Sequence, residues 1–429
     1  MVNNELIKQN IWKPEDEGDH YPSQKEWWCF ETLFKTIDDG KKWNLKCSMA
    51  YRYEPVKDCF ITYYLFNITD KKLEVEKALN DDFNKLSFKK GKLDIKYENF
   101  TITGLYPNYK IVIEDKKQDF KIDLDIKAKI PPHWSAENVT NGYLPIGLGY
   151  YRFGWILNSD LNGTLYLKGR NYSVKGIAYC EHAWGNWSYK NPFKDVSNIK
   201  KTVSIYGNLV NHWLKQRKPK IPDTLEINSN NDPVGYDWFW GVSENNISVF
   251  FGNAMFWVSR GPSFGVLTVF KDNEFLDFFD VDFQYNKIAF IKKVDLDYPT
   301  DITVNGRLDD KKIKLRVWSE LKANEYIYEF PNKGYYKAII MCEMPAKMQG
   351  FYEDKENNLE INGDCKFVPQ RQPTSIGYNS LKIDFLKPPK GLGLSFDFNS
   401  HFFKKRIFSS IQFAPKPRIK FNFRHLNDM

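Results

Sequence analysis

Between Phe120 and Ile130 the chain alternates without a break: every even-numbered residue is apolar, and the odd-numbered ones are charged. A period of two places one face of a strand on a core and the other in water. The same pattern returns at Ile313–Val317 and Leu381–Phe385. Asp39-Gly40, Asn162-Gly163, Asn305-Gly306 and Asn362-Gly363 read as hairpin turns, because these dipeptides supply the positive φ that tight turns require. Composition points the same way. The 33 Phe, 25 Tyr and 13 Trp favour pleated, half-buried surfaces. Helical signals are few: a stripe of Val75, Ala78, Leu79 and Leu86 within Leu73–Leu86, and a short stretch at Asn208–Lys215. The expectation is a mainly β chain, antiparallel, of barrel or sandwich class.

Several function classes are excluded at this level. Apolar stretches such as Ile146–Leu157 and Val249–Val258 are interrupted by Arg152 and Asn253, well short of the roughly 20 apolar residues a membrane span needs. No basic segment followed by an apolar one opens the chain, so no secretory leader is expected. Cys29, Cys47, Cys59, Cys180, Cys342 and Cys365 form no CxxC pair and read as buried thiols of a cytoplasmic protein. His20, His133, His182, His212, His401 and His425 show no metal-ligand spacing, so no metal and no cofactor are expected. There is no Walker loop, no Gly-x-Ser-x-Gly elbow and no basic-aromatic RNA-binding strand, so no nucleic-acid partner is expected.

Three clusters set polar groups among large aromatics. The first is His20–Phe30, in which Glu26 precedes Trp27 and Trp28. Neighbouring residues of a strand face opposite ways, so Glu26 points with Trp28 and away from Trp27. The second is Gly176–Trp187, where His182 and Trp184 share a face and Glu181 points away from them. The third is Gly235–Trp240, with Asp237 between Tyr236 and Trp238. A carboxyl among aromatics pays a desolvation cost that raises its pKa, which makes Asp237 a candidate proton donor. Polar groups embedded in aromatics suit an apolar ligand pocket with a few fixed polar contacts.

On these residues the chain resembles the lipocalin-like family of carotenoid 1,2-hydratase (hydroxyneurosporene synthase, CrtC) and the AttH-like proteins. The motifs, in order, are Glu26-Trp27-Trp28-Cys29-Phe30, Tyr150-Tyr151 after Gly147-Leu148-Gly149, Gly176 to Gly185 around Glu181-His182, and Gly235-Tyr236-Asp237-Trp238-Phe239. The family usually has Tyr at Cys29, Asp at Glu181 and Trp at Tyr236. The resemblance implies two lipocalin-like antiparallel β-barrels in tandem. With the proline-containing polar tract after Lys215 read as a linker, the chain divides into an N-terminal extension at 1–19, a first barrel at 20–214, a linker or inserted loop at 215–234, a second barrel at 235–400 and a basic aromatic segment at 401–429.

The chemistry the resemblance implies is cofactor-free hydration of a C=C bond in an apolar isoprenoid or polyene. Such a reaction needs a proton donor, stabilisation of a tertiary cation and a held water. The resemblance gives Asp237 as acid, Trp184 and Tyr236 as cation-facing aromatics, and His182 as the water-positioning group. Trp27, Trp28, Glu26, Tyr151 and Trp238 would contact substrate. Two rivals stand beside this reading: a carrier of a hydrophobic molecule without catalysis, and a cyclase or pericyclase of Diels–Alderase type.

The net charge of +8 is concentrated at one end. Residues 401–429 hold Lys404, Lys405, Arg406, Lys416, Arg418, Lys420 and Arg424 against Asp428 alone, interleaved with Phe402, Phe403, Phe408, Phe413, Phe421 and Phe423. This pattern suits peripheral contact with an anionic membrane surface, and equally a last strand packed on the second barrel.

Overall fold

The computed structural model describes residues 12–53, 57–89, 91–146, 149–186, 196–216, 224–228, 236–254, 264–291, 296–321, 323–329, 336–371, 374–375, 379–386, 391–400, 405–413 and 418–425, with side chains no further than residue 370. The described chain is mainly antiparallel β in three sheets, as the alternation predicts. Contacts gather Met1–Trp213, Trp240–Val249 and Val269–Leu276 into one unit, and Leu214–Phe239, Phe250–Thr268 and Asp277–Met429 into another. Among the described residues no helix is long and apolar enough to cross a membrane.

The first unit is built on thirteen strands: β1 (Lys25–Thr36), β2 (Lys42–Arg52), β3 (Asp58–Asn67), β4 (Lys72–Asp82), β5 (Leu86–Phe88), β6 (Leu93–Tyr97), β7 (Phe100–Leu105), β8 (Asn108–Asp115), β9 (Phe120–Ala128), β10 (His133–Trp134), β11 (Tyr143–Ile146), β12 (Gly149–Leu167) and β13 (Arg170–Asn186). Their order is β4-β3-β2-β1-β13-β12-β9-β8-β7-β6-β5, with β10 and β11 paired to β12. The two edges, β4 and β5, are consecutive in sequence and joined by one 3-10 turn at Phe83–Lys85, whose Asn84 N–H donates to the Asp82 side chain. Tyr97 Oη donates to Asp81 Oδ2 at 2.6 Å, and Lys77 Nζ meets Glu98 at 3.2 Å. Side chains thus tie the edges of a nearly closed barrel, which leaves little of either edge open to pair with another chain.

The barrel interior follows from the register. Ile122, Leu124 and Ile126 of β9 are buried opposite Ile113, Ile111 and Tyr109 of β8, and Phe120 is buried on the same face. The outward Lys110 pairs with Asp123 and Asp125. Each fully buried aliphatic or Phe side chain contributes about 1.5–3 kcal/mol of transfer free energy. All six cysteines are buried free thiols.

Three local expectations are corrected. Leu73–Leu86 is strand β4, a 3-10 turn and strand β5 rather than a helix. Lys77 sits on the inward face, with its ammonium over the Tyr63 and Tyr97 rings at 5.9 and 5.7 Å, so a polar letter occupies an aromatic-lined position and hides the period of two. The helix expected at 208–215 extends over Val196–Gln216. Of the Gly dipeptides, Asp39-Gly40 is a turn, but Gly163, Gly306 and Gly363 lie inside strands. Gly163 is needed for close approach, since a Cβ there would stand 2.1 Å from the Asp123 carbonyl oxygen. Positive φ is supplied instead by Lys168-Gly169, Asp272-Asn273 and Asp309.

The second sheet has eleven strands, in which Tyr236–Val242 lies between Ser248–Ala254 and Asn358–Arg371. A third sheet runs Thr224–Asn228, Asn379–Leu386, Gly391–Ser400, Lys405–Phe413 and Arg418–His425. The segment 215–234 therefore holds a strand, and the described part of the basic tail forms two strands. The tail's Lys, Arg and Phe side chains, with Gly147, Leu148 and Gly235, lie outside the described residues.

Candidate functional site

The pairing of β1 with β2 and β13 decides which side chains meet at one mouth of the first barrel. Trp28 stands opposite His182 and Met49, and Glu26 opposite Trp184 and Tyr51. All these residues face inward, on the same side as the barrel core residues Phe30, Cys47 and Cys180. Trp28 stacks on His182 with centroids 4.9 Å apart, and His182 lies 4.8 Å from Trp184. The mouth is covered by residues 12–20, a 3-10 turn at Pro14–Glu17 followed by an extended segment. Trp28 Nε1 donates to the Glu17 carbonyl at 3.2 Å, which pins this strap to the barrel.

Glu26 is the centre of the cluster and is fully buried. Its Oε1 lies 2.8 Å from His182 Nε2 and 2.8 Å from His20 Nδ1. Its Oε2 accepts from Tyr51 Oη at 2.7 Å and from the His20 backbone N–H at 2.9 Å. Burial alone raises a carboxyl, but the hydrogen bonds from His182 and His20 outweigh it and hold Glu26 below the ordinary Glu value. His182 Nδ1 faces the Asp16 carbonyl oxygen at 2.7 Å. A carbonyl can only accept, so Nδ1 carries a proton. Nε2 faces a Glu26 oxygen, so a further proton lies between the two. Burial holds His182 below the ordinary imidazole value, with the Glu26 hydrogen bond opposing it. The proton on this contact is held jointly by the buried pair.

Aromatic faces surround this pair. His20 lies flat on Trp184, with centroids 3.5 Å apart and planes 8° apart. Trp134 meets Trp184 edge-on at 5.7 Å and stacks on Trp12 at 4.6 Å. Arg152 places its guanidinium 3.7 Å from the Trp134 centroid and reaches Asp16 at 3.3 Å. Gly154, opposite His182 in the sheet, is what lets these rings lie against β12: a Cβ there would be 2.4 Å from Trp12 and 2.6 Å from Trp134. A second buried acid lies close by. Glu17 accepts from Trp12 Nε1 at 3.2 Å and from the Tyr106 N–H at 3.1 Å, and burial raises its pKa above the ordinary value.

His20, Glu26 and His182 offer ligand atoms within 4.8 Å of one another, the closest approach to a metal-ligand set among the described residues. Tetrahedral zinc, with N and O ligands about 2.0–2.2 Å from the ion, spaces them about 3.3 Å apart. The 2.8 Å contacts are hydrogen-bond lengths. We therefore read the three groups as sharing protons.

The sequence-derived residues thus fall into three groups. Glu26, Trp28, His182 and Trp184 come together at the mouth. Trp27 and Tyr151 lie on the opposite face of the same sheet, 5.7 Å apart, where Trp27 Nε1 and Tyr179 Oη donate to Glu181 at 3.1 and 2.7 Å. Trp240 covers this outer face, 5.5 Å from Tyr179. Asp237, Tyr236 and Trp238 belong to the second unit. There Asp237 is buried and accepts from Asn253 Nδ2 at 3.1 Å and from Tyr285 Oη, and Trp238 stacks on Phe250 at 6.1 Å. His20, Asp16, Tyr51, Trp134, Arg152 and Glu17 are site residues the sequence pattern did not single out.

No family model matches the sequence, and no curated protein matches it. Solved structures do. An AttH-like protein of Nitrosomonas europaea is similar with a TM-score of 0.54 at 13% identity, over 83% of this chain and 97% of that one. Kievitone hydratase from Nectria haematococca is similar with a TM-score of 0.51 at 13% identity, over 83% of this chain and 93% of that one. At such identity the likeness is one of fold. The fold is mainly β, of tandem lipocalin-like barrels.

Proposed function

We propose that the protein is an enzyme that protonates a C=C bond of an apolar isoprenoid or polyene, leading to hydration or cyclisation, and that the first barrel carries the chemistry. The observation that carries this reading is the buried His182–Glu26 pair, which holds a mobile proton among Trp28, Trp184 and Trp134. Adding that proton to an alkene carbon leaves a tertiary cation, which aromatic faces attract. Water captures the cation in hydration, and a second double bond of the substrate captures it in cyclisation. The motif resemblance to carotenoid hydratases and the fold shared with kievitone hydratase support the hydratase branch.

Asp237, with Tyr236 beside it, is the rival acid, and variants separate the two. Lycopene, an acyclic polyene, serves as the probe, with products resolved by chromatography and folding checked by circular dichroism. The reading predicts hydroxylated or cyclised product with the unaltered protein and a far larger loss with Glu26→Gln than with Asp237→Asn. An equal or larger loss with Asp237→Asn moves the acid to the second unit. Wild-type turnover retained by Glu26→Gln overturns the reading.

A further inference from the structure

Of the three groups that share the proton, one meets the outside. The side chains of Glu26 and His182 are 0% and 3% exposed, whereas that of His20 is 21% exposed. The ring of His20 is fixed on two sides, by Trp184 beneath it and by Glu26 at Nδ1. Its backbone N–H also donates to both Glu26 oxygens, at 3.1 and 2.9 Å. An imidazole held this way turns its Nε2 edge away from Glu26. Buried Glu26 and His182 cannot reach a substrate carbon without displacing it.

We propose that His20 is the catalytic residue that hands the proton to substrate, with the Glu26 carboxylate holding its imidazolium from behind. The inference rests on the acid-initiated reading above. In the resting site Glu26 is a carboxylate, and His20 carries one proton on Nδ1, donated to Glu26 Oε1 at 2.8 Å, and another on the outward Nε2. The Nε2–H bond breaks, and its electron pair stays on nitrogen. The alkene π pair forms the new C–H bond and leaves the tertiary cation. His20 is left neutral, with its Nδ1–H still donated to Glu26 Oε1. A water then gives its lone pair to the cation and its proton to His20 Nε2. The elements of water have been added and the protein is unchanged.

The site assigns distinct roles to the two histidines. His20 is a proton donor in contact with substrate. His182 is a positioning group that holds Glu26, itself oriented by the Asp16 carbonyl and Trp28.

The test uses the full chain and lycopene as probe. His20→Gln keeps a donor toward Glu26 but cannot transfer a proton, so kcat should fall by about 10²–10⁴-fold with KM little changed. His20→Ala should regain turnover when imidazole is added, because the vacated position is part-exposed, whereas His182→Ala should not. His20→Gln that retains more than half of wild-type kcat, or His20→Ala that imidazole leaves unrescued, overturns the role of His20 alone. Absence of turnover by the unaltered protein overturns the parent reading, and this one with it.

Discussion

Replacing Tyr51 by Phe removes one hydroxyl from beneath Glu26 and little else. That hydroxyl donates to Oε2 at 2.7 Å, in a place where the carboxylate has no water to turn to. A hydrogen bond to a charged group contributes about 1.5–3 kcal/mol. Its loss therefore raises the Glu26 pKa toward the ordinary value. Oε2 keeps the His20 N–H at 2.9 Å, which places the expected loss in the lower half of that range. Glu26 is held below its ordinary value, so its ionisation supports the fold above the unfolded value of about 4.3 and that support fades as pH falls through the folded value. Urea unfolding followed by tryptophan fluorescence should show Tyr51→Phe less stable by about 1.5–2 kcal/mol at pH 7. The gap should narrow toward about 1 kcal/mol in acid, where both proteins hold Glu26 protonated and only a neutral hydrogen bond is lost. A gap that stays constant from neutral pH into acid, or no gap at all, refutes the ionised, hydrogen-bonded Glu26.

Three further outcomes follow from the geometry. Gly154→Ala drives a methyl into Trp12 and Trp134 and should cost about 1–3 kcal/mol in urea unfolding, while Gly207→Ala, on a helix with open space around it, should gain about 0.5–1 kcal/mol. Glu17 has a raised pKa, so the fold is favoured below the ordinary Glu value and loses stability as pH rises through the raised one; Glu17→Gln should flatten the slope of Tm against pH in that window. Lys366 and Glu343 form a fully buried pair at 3.0 Å in the second unit; Lys366→Met should cost about 3–5 kcal/mol, and adding Glu343→Leu should restore much of it.

Much of the frame is legible in the sequence because strands write their faces as a period of two. Phe120–Ala128 shows this, as do Glu26, Trp27 and Trp28, whose opposite orientations place Glu26 beside His182 and Trp27 beside Glu181. The pattern misleads where a polar residue faces inward with an aromatic partner, as Lys77 does, and where a glycine serves close packing, as Gly163 does. The site itself is less legible because its parts come from distant segments. Asp16 reaches His182 across 166 residues, and Tyr51 reaches Glu26 from the next strand. His20 stands at the head of the first aromatic cluster, but nothing in its spacing announces that the strap folds back over the barrel mouth. Signals do exist for two of the missed residues. Tyr51 closes an alternating strand with Cys47 and Met49, and Gly154 interrupts the aromatic run Phe153 to Trp155 where a side chain has no room.

The central claim is proton transfer from the protein to a double bond, followed by capture of the cation. It is tested most directly by running the reaction on lycopene in heavy water and in heavy-oxygen water, and locating the labels by mass spectrometry. Hydration predicts one deuterium on the less substituted alkene carbon and one heavy oxygen on its neighbour; cyclisation predicts the deuterium alone. Product that carries no solvent deuterium contradicts acid initiation and with it the role given to Glu26, His182 and His20.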